Sequence, residues 1–163
     1  MSLIALDAGR DVIRRHGLSA YPRPRELLHV SLNGIGKYQG SPDEIIFAVA
    51  AAMATVKAAP FEVVFDRVMH FANARAVVLG NAVRSEEMMD LHVQLAKEMW
   101  AVGLNFTYNP NFTPHMTLLY DETPVPEHML AEPVQWIARE FVLIRSLVGK
   151  GEYEYVDRWP LLD

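Results

Sequence analysis

Two stretches of this chain repeat each other at an offset of 86 residues, and that offset limits the fold more than any other feature. Gly17 falls on Gly103, Leu18 on Leu104, Pro24 on Pro110, His29 on His115, Ser31 on Thr117 and Leu32 on Leu118. Each copy reads as a helix closed by Gly-Leu, a polar loop carrying proline, and a short run that opens on histidine. A solenoid needs more and shorter units. The arrangement expected from two such copies, at about residues 4–32 and 90–118, is a pair of similar lobes that face each other across a cleft.

The histidine runs are His29-Val30-Ser31-Leu32 and His115-Met116-Thr117-Leu118. In an extended chain, side chains two apart share a face. His29 and Ser31 are therefore expected on one face, with Leu28, Val30 and Leu32 turned to a core. His115 and Thr117 are expected opposite Met116 and Leu118 in the same way. An imidazole beside a hydroxyl suits acid–base work next to a hydrogen-bond donor. The bland alternative is a half-buried strand histidine bonded to its neighbours, and register between the two copies favours function over it. His16, His70, His92 and His128 lack a hydroxyl residue two places on. They read as structural: His16 at a helix C-terminus, His70 ending a strand, His92 beside a helical stripe and His128 in a proline-rich loop.

Local signals place the rest of the chain. Residues 4–16 read as a helix with Ile4, Ala8 and Val12 on one stripe and Gly17 as its C-cap. Ser41-Pro42-Asp43-Glu44 forms a capping box that opens a second helix, expected to run until Pro60 stops it. Phe61 onward to about Phe71 reads as a strand, in a hairpin with Ala76–Leu79 across Asn73-Ala74-Arg75. Ser85 caps a third helix ending at Gly103, with Met88, Leu91, Leu95, Met99 and Val102 as its stripe. Trp136 to Val148 reads as one long extended run, paired with Tyr153–Trp159 across Gly149-Lys150-Gly151. The expected class is α+β, with antiparallel sheets and flanking helices in one bilobal domain over residues 1–163.

Bulk properties narrow the function. The length of 163 residues suits one domain or two lobes sharing a core. There are no cysteines, which excludes disulfides, thiolate nucleophiles and cysteine zinc sites. No apolar run approaches the roughly 18 residues that span a bilayer. With no signal peptide read at the start, the cytoplasm is the expected location. A net charge of −5 argues against an extended nucleic-acid surface but leaves room for a small nucleotide or a single RNA end. Arg23, Arg25, Lys37 and Arg145 are the cations considered for such a ligand, each competing with a plain surface role.

Arg25-Glu26-Leu27-Leu28-His29-Val30-Ser31-Leu32 and Phe112-Thr113-Pro114-His115-Met116-Thr117-Leu118 resemble the two signatures of the 2H phosphoesterases, and within them the 2′-5′ RNA ligase group. The likeness runs from about Gly17 to the C-terminus, including Val142–Leu147 and Arg158-Trp159-Pro160. It implies a bilobal α+β fold and metal-independent opening of 2′,3′-cyclic phosphodiesters, or joining and cleaving of 2′-5′ linkages. It also implies His29 and His115 as the catalytic pair. One departure is that no strand is evident before the first helix; either the chain is truncated or Ser2 to Leu6 forms an abbreviated strand. Another is Tyr120, which stands near the place where family members often carry a basic residue.

The chemistry fits the residues. Opening a cyclic phosphodiester needs a base for water on one side of phosphorus and an acid for the leaving ribose oxygen on the other. Two histidines can serve, with Ser31 and Thr117 holding the non-bridging oxygens. Tyr120 and Phe112 are considered for stacking on a base, and Lys37 and Arg145 for substrate charge. No cofactor is expected, nor a metal, since His-Glu-x-x-His does not occur; the absence of Gly-x-Ser-x-Gly argues against a serine hydrolase. The rival readings are a non-catalytic module that grips a nucleotide or RNA end, and an enzyme acting on another phosphoester such as a cyclic ADP-ribose phosphate.

Overall fold

A computed structural model describes residues 3–38, 42–147 and 149–162. In chain order its elements are α1 (Leu3–His16), α2 (Asp43–Met53), β1 (Phe61–Phe71), β2 (Ala76–Gly80), α3 (Glu86–Ala101), β3 (Met116–Tyr120), β4 (His128–Ala138), β5 (Glu140–Leu147) and β6 (Glu152–Pro160). Short 3₁₀ turns cover Arg25–Leu27 and Ala72–Ala74. The class is α+β, as expected. The chain packs as two compact units, each assembled from three stretches of sequence.

The first unit draws on residues 1–31, 62–84 and 113–137. Its four-stranded sheet runs in the order β3-β2-β1-β4. β1 and β2 are antiparallel, with Phe71 opposite Ala76 and Arg67 opposite Gly80, and the connecting turn places Arg75 in the left-handed region at φ 51°. All five residues of β2 are buried, so both faces of this strand are covered. α1 contacts β3 and buries Ala5, Ala8, Gly9 and Val12. Ala8 and Val12 are buried as expected, whereas Ala5 is buried where Ile4 is only partly so. Small residues let helix and strand approach closely; a side chain at Gly9 would meet Leu118 and Pro22. No strand precedes α1 among the described residues.

The second unit holds α2, α3 and the antiparallel β5–β6 hairpin. Val49, Ala52 and Met53 meet Leu91, Leu95, Met99, Leu104, Phe141 and Leu161 in one apolar cluster. α2 ends at Met53, well before Pro60. Thr55 closes it: its backbone N–H donates to the Ala52 carbonyl, and its hydroxyl lies 2.7 Å from both that carbonyl and the Glu98 carboxylate of α3. Ser41, the expected cap, lies outside the described residues. Ser85 caps α3 as expected, accepting from the Met88 N–H. Val102 is not part of the α3 stripe; it is the C-cap residue and exposed. The expected run from Trp136 to Val148 is instead two strands divided at Arg139, and His128 begins β4 rather than sitting in a loop. Val148 itself lies outside the described residues.

Both Gly-Leu pairs close their helices identically. Gly17 (φ 62°) and Gly103 (φ 78°) take the left-handed conformation that follows a helix end. The next N–H reaches back to the carbonyl five residues earlier, Leu18 to Ile13 and Leu104 to Met99. The helices of the two copies lie in different units, α1 in the first and α3 in the second.

Candidate active site

Both motif histidines and their hydroxyl partners lie in the first unit, side by side, rather than one pair in each of two facing lobes. The second motif enters β3, where Met116 pairs with Leu79 of β2. On its other side Met116 forms an antiparallel bridge with Val30. The first motif thus adds a single paired residue to the edge of the sheet, not the strand expected from its sequence. Antiparallel register through that bridge sets His29 opposite Thr117 and Ser31 opposite His115, where facing residues stand about 4.5–5.5 Å apart. Met116 and Leu28 are buried, whereas His29, His115 and Thr117 are half-buried and Ser31 is exposed. One imidazole from each motif and one hydroxyl from each therefore share a face.

The two rings are held alike. His29 Nδ1 lies 2.8 Å from the Leu27 carbonyl and His115 Nδ1 lies 2.7 Å from the Thr113 carbonyl. A carbonyl can only accept, so each Nδ1 carries a proton and the neutral ring keeps its lone pair on Nε2. His128 makes the same bond to Pro126 at 2.9 Å, so this arrangement alone does not mark a site. What sets the pair apart is the hydroxyl two residues on: Ser31 Oγ donates to His29 Nε2 at 3.0 Å. Phe71, at the end of β1, meets the His115 ring edge-on at 4.8 Å and limits its swing.

Burial pushes the pKa of His29 below its ordinary value. The Leu27 carbonyl opposes that shift, while the charges of Arg23 and His115 add to it. Burial therefore favours the neutral form of His29.

β3 carries a bulge where its register with β2 slips, so that Val77 faces Leu119 while Val78 faces Thr117. Leu118 and Leu119 are both buried as a result. The slip reverses the alternation, so Tyr120 leaves the core face of Met116 and Leu118 and is 55% exposed. The Arg23 guanidinium lies over the Tyr120 ring, 5.6 Å from its centre. Sequence reasoning weighs Arg23 only as one cation among several; the rigid Pro22-Arg23-Pro24 stretch is the signal that could single it out. Arg25 is exposed in the 3₁₀ turn before His29.

The remaining expected site residues belong to the second unit. Phe112 is buried and stacked on His92 with ring centres 4.4 Å apart, a core role rather than an open platform. Lys37 is exposed in the loop after the first motif. Arg145, on β5, pairs with Glu154 of β6. Among the described residues no group of three or more His, Asp or Glu is placed to hold a metal ion, and no helix is long and apolar enough to cross a membrane.

The fold is shared with several solved structures. Over 97% of this chain and 93% of the other, it matches E. coli LigT complexed with 3′-AMP at a TM-score of 0.78 and 20% identity. TT0787 of Thermus thermophilus matches at 0.70 and 21% identity, covering 95% of this chain and 92% of the other. The MHV ns2 PDE domain is more remote, at 0.51 and 18% over 82% of this chain and 86% of the other. No curated protein matches the chain. The family model of the 2′-5′ RNA ligase superfamily matches residues 5–150, which takes in both histidine motifs and all three helices from Ala5 onward. With that match over most of its length, the chain belongs to the 2′-5′ RNA ligase superfamily, the 2H phosphoesterases.

Proposed function

We propose that this protein is a metal-independent phosphodiesterase that opens 2′,3′-cyclic phosphodiesters of nucleotides or RNA ends. The observation that carries the reading is the pairing of Val30 with Met116, which brings two Nδ1-anchored imidazoles and two hydroxyls to one face. His29, whose burial favours the neutral ring, is the base: its Nε2 takes a proton from water as the water oxygen bonds to phosphorus. The bond from phosphorus to one ribose oxygen breaks, and His115, entering protonated, gives that oxygen its proton. The product is a nucleoside monophosphate with a free neighbouring hydroxyl. Ser31 and Thr117 donate to the non-bridging oxygens, where charge shifts in the transition state. Run in the same direction with an RNA hydroxyl in place of water, these steps join a 2′-5′ linkage, and run in reverse they cleave it and close the ring again.

Relatives of this fold support a small nucleotide as the ligand, since E. coli LigT has been crystallised with 3′-AMP, ATP and NADP+. The test is hydrolysis of a panel of 2′,3′-cyclic nucleotides in the presence of EDTA, with the product assigned as the 2′- or 3′-phosphate. Turnover that survives EDTA supports the reading. Binding without turnover by the intact protein would favour the non-catalytic module instead.

A further inference from the structure

The proposed reaction places an anion on a face whose fixed donors, Ser31 and Thr117, are neutral hydroxyls and whose two rings trade protons during the step. Arg23 lies beside that face. Its backbone N–H donates to the Leu118 carbonyl at 2.7 Å, pinning it along the outer edge of β3 at the bulge. Flanking prolines hold the chain on both sides. Pro22 sits against α1 near Gly9, and Pro24 (φ −63°) starts the 3₁₀ turn whose Leu27 carbonyl anchors His29. The guanidinium rests over the Tyr120 ring, and its charge is felt at His29.

We propose that Arg23, propped on Tyr120, binds the phosphate of the nucleotide substrate and positions it against His29 and His115. The assignment rests on the phosphodiesterase reading and deepens it: the ligand class is a ribose-linked phosphate anion, and the cation comes from the loop before the first motif. Three features argue for this role over a plain surface charge. Arg23 is only partly exposed, its backbone is fixed by a bond to the residue that follows Thr117, and its head group stacks on a ring that the bulge turns outward. A planar guanidinium offers paired N–H donors that match two phosphate oxygens. Tyr120 supplies the platform that keeps the plane in place.

The experiment compares the full chain with Arg23→Gln, Arg23→Lys and Tyr120→Ala variants, each checked for folding by circular dichroism. Inorganic phosphate is titrated calorimetrically, and the His29 ring is followed by NMR against pH. Losing one charge-assisted contact is expected to weaken phosphate binding about 10- to 100-fold in Arg23→Gln. Arg23→Lys and Tyr120→Ala should fall between it and the wild type. The His29 titration should move upward in Arg23→Gln and stay near wild type in Arg23→Lys, a signature that loss of packing alone does not produce. With a 2′,3′-cyclic nucleotide as substrate, KM should rise more than kcat falls. Unchanged phosphate affinity in Arg23→Gln, or no phosphate binding by the wild type, overturns the assignment even if the protein is an active phosphodiesterase. Arg23-dependent phosphate binding in a protein that never hydrolyses cyclic nucleotides keeps the assignment and removes the catalytic reading.

Discussion

His92 is the most informative residue for stability, because one buried ring holds two loops at once. It is 1% exposed on α3, with Nδ1 3.0 Å from the Leu32 carbonyl and Nε2 3.1 Å from the Asn109 carbonyl. Tyr108 stacks on it at 4.9 Å and Phe112 at 4.4 Å, with interplanar angles of 17° and 26°. Leu32 closes the first motif, and Asn109 stands six residues before His115. Replacing the ring with alanine removes two stacked contacts worth about 0.5–1.5 kcal/mol each beyond area burial. It also removes the one N–H bond that a neutral ring can give to either carbonyl, at about 1 kcal/mol and up to about 3 where a buried carbonyl is stranded. His92→Ala should therefore destabilise the protein by about 3–5 kcal/mol. His92→Phe keeps the stack and loses only the nitrogens, so about 1–3 kcal/mol is expected. Urea unfolding at pH 7, followed by circular dichroism, measures both. At about 2–4 °C per kcal/mol for a chain of this size, a fall in Tm near 10 °C should accompany the alanine change. If His92→Phe unfolds together with the wild type, the carbonyl bonds contribute nothing and the reasoning fails.

The remaining predictions concern the site and its supports. His29→Ala and His115→Ala should each abolish opening of cyclic nucleotides, at least a hundredfold loss, while unfolding within about 1 kcal/mol of the wild type; full activity in either refutes the pairing. Thr117→Ala should slow turnover about 10- to 100-fold with the fold intact, and an unfolded variant would make the hydroxyl structural. The folded-state pKa of His29 is lowered from 6.5, so the unfolded chain binds the proton more readily. The stability that neutral His29 contributes is fully present above about pH 6.5 and is lost as pH falls toward the folded value. A His29→Gln variant should accordingly lose less stability than the wild type between pH 7 and pH 5, measured by urea midpoints. Gly103→Ala forces a side chain into φ 78° and should cost about 1–2 kcal/mol, whereas Gly34→Ala, with open space and no positive φ, should be nearly neutral.

The parts of the site readable from sequence are those determined within a few residues. A two-residue spacing in extended chain puts His29 with Ser31, and the 3.0 Å bond between them is a direct result. The Gly17 and Gly103 helix endings and the β1–β2 hairpin were legible for the same reason. Expectations that needed a partner distant in sequence fared differently. Phe112 reads as either a core residue or a stacking platform from its neighbours alone, and only the His92 ring stacked on it decides for the core. Pro60 looks like the stop for α2, but Thr55 ends the helix earlier, with Glu98 of α3 at its hydroxyl. Tyr120 would share the buried face of Leu118 in a regular strand, and only the bulge opposite Val77 and Val78 turns it to solvent.

From sequence alone, the α+β class, the duplicated histidine motifs and the residue types suited to acid–base chemistry were determined. Backbone conformation and the period-two face of an extended chain are local properties, so a short window of residues carries them. Tertiary structure decided which strand edge receives the first motif, where β3 bulges, and which cation stands beside His29. Those choices depend on pairing Val30 with Met116, 86 residues away, and Arg23 with Leu118. Such contacts form only once the intervening chain is folded, because their register is set by burial across the whole sheet and not by any neighbouring residue.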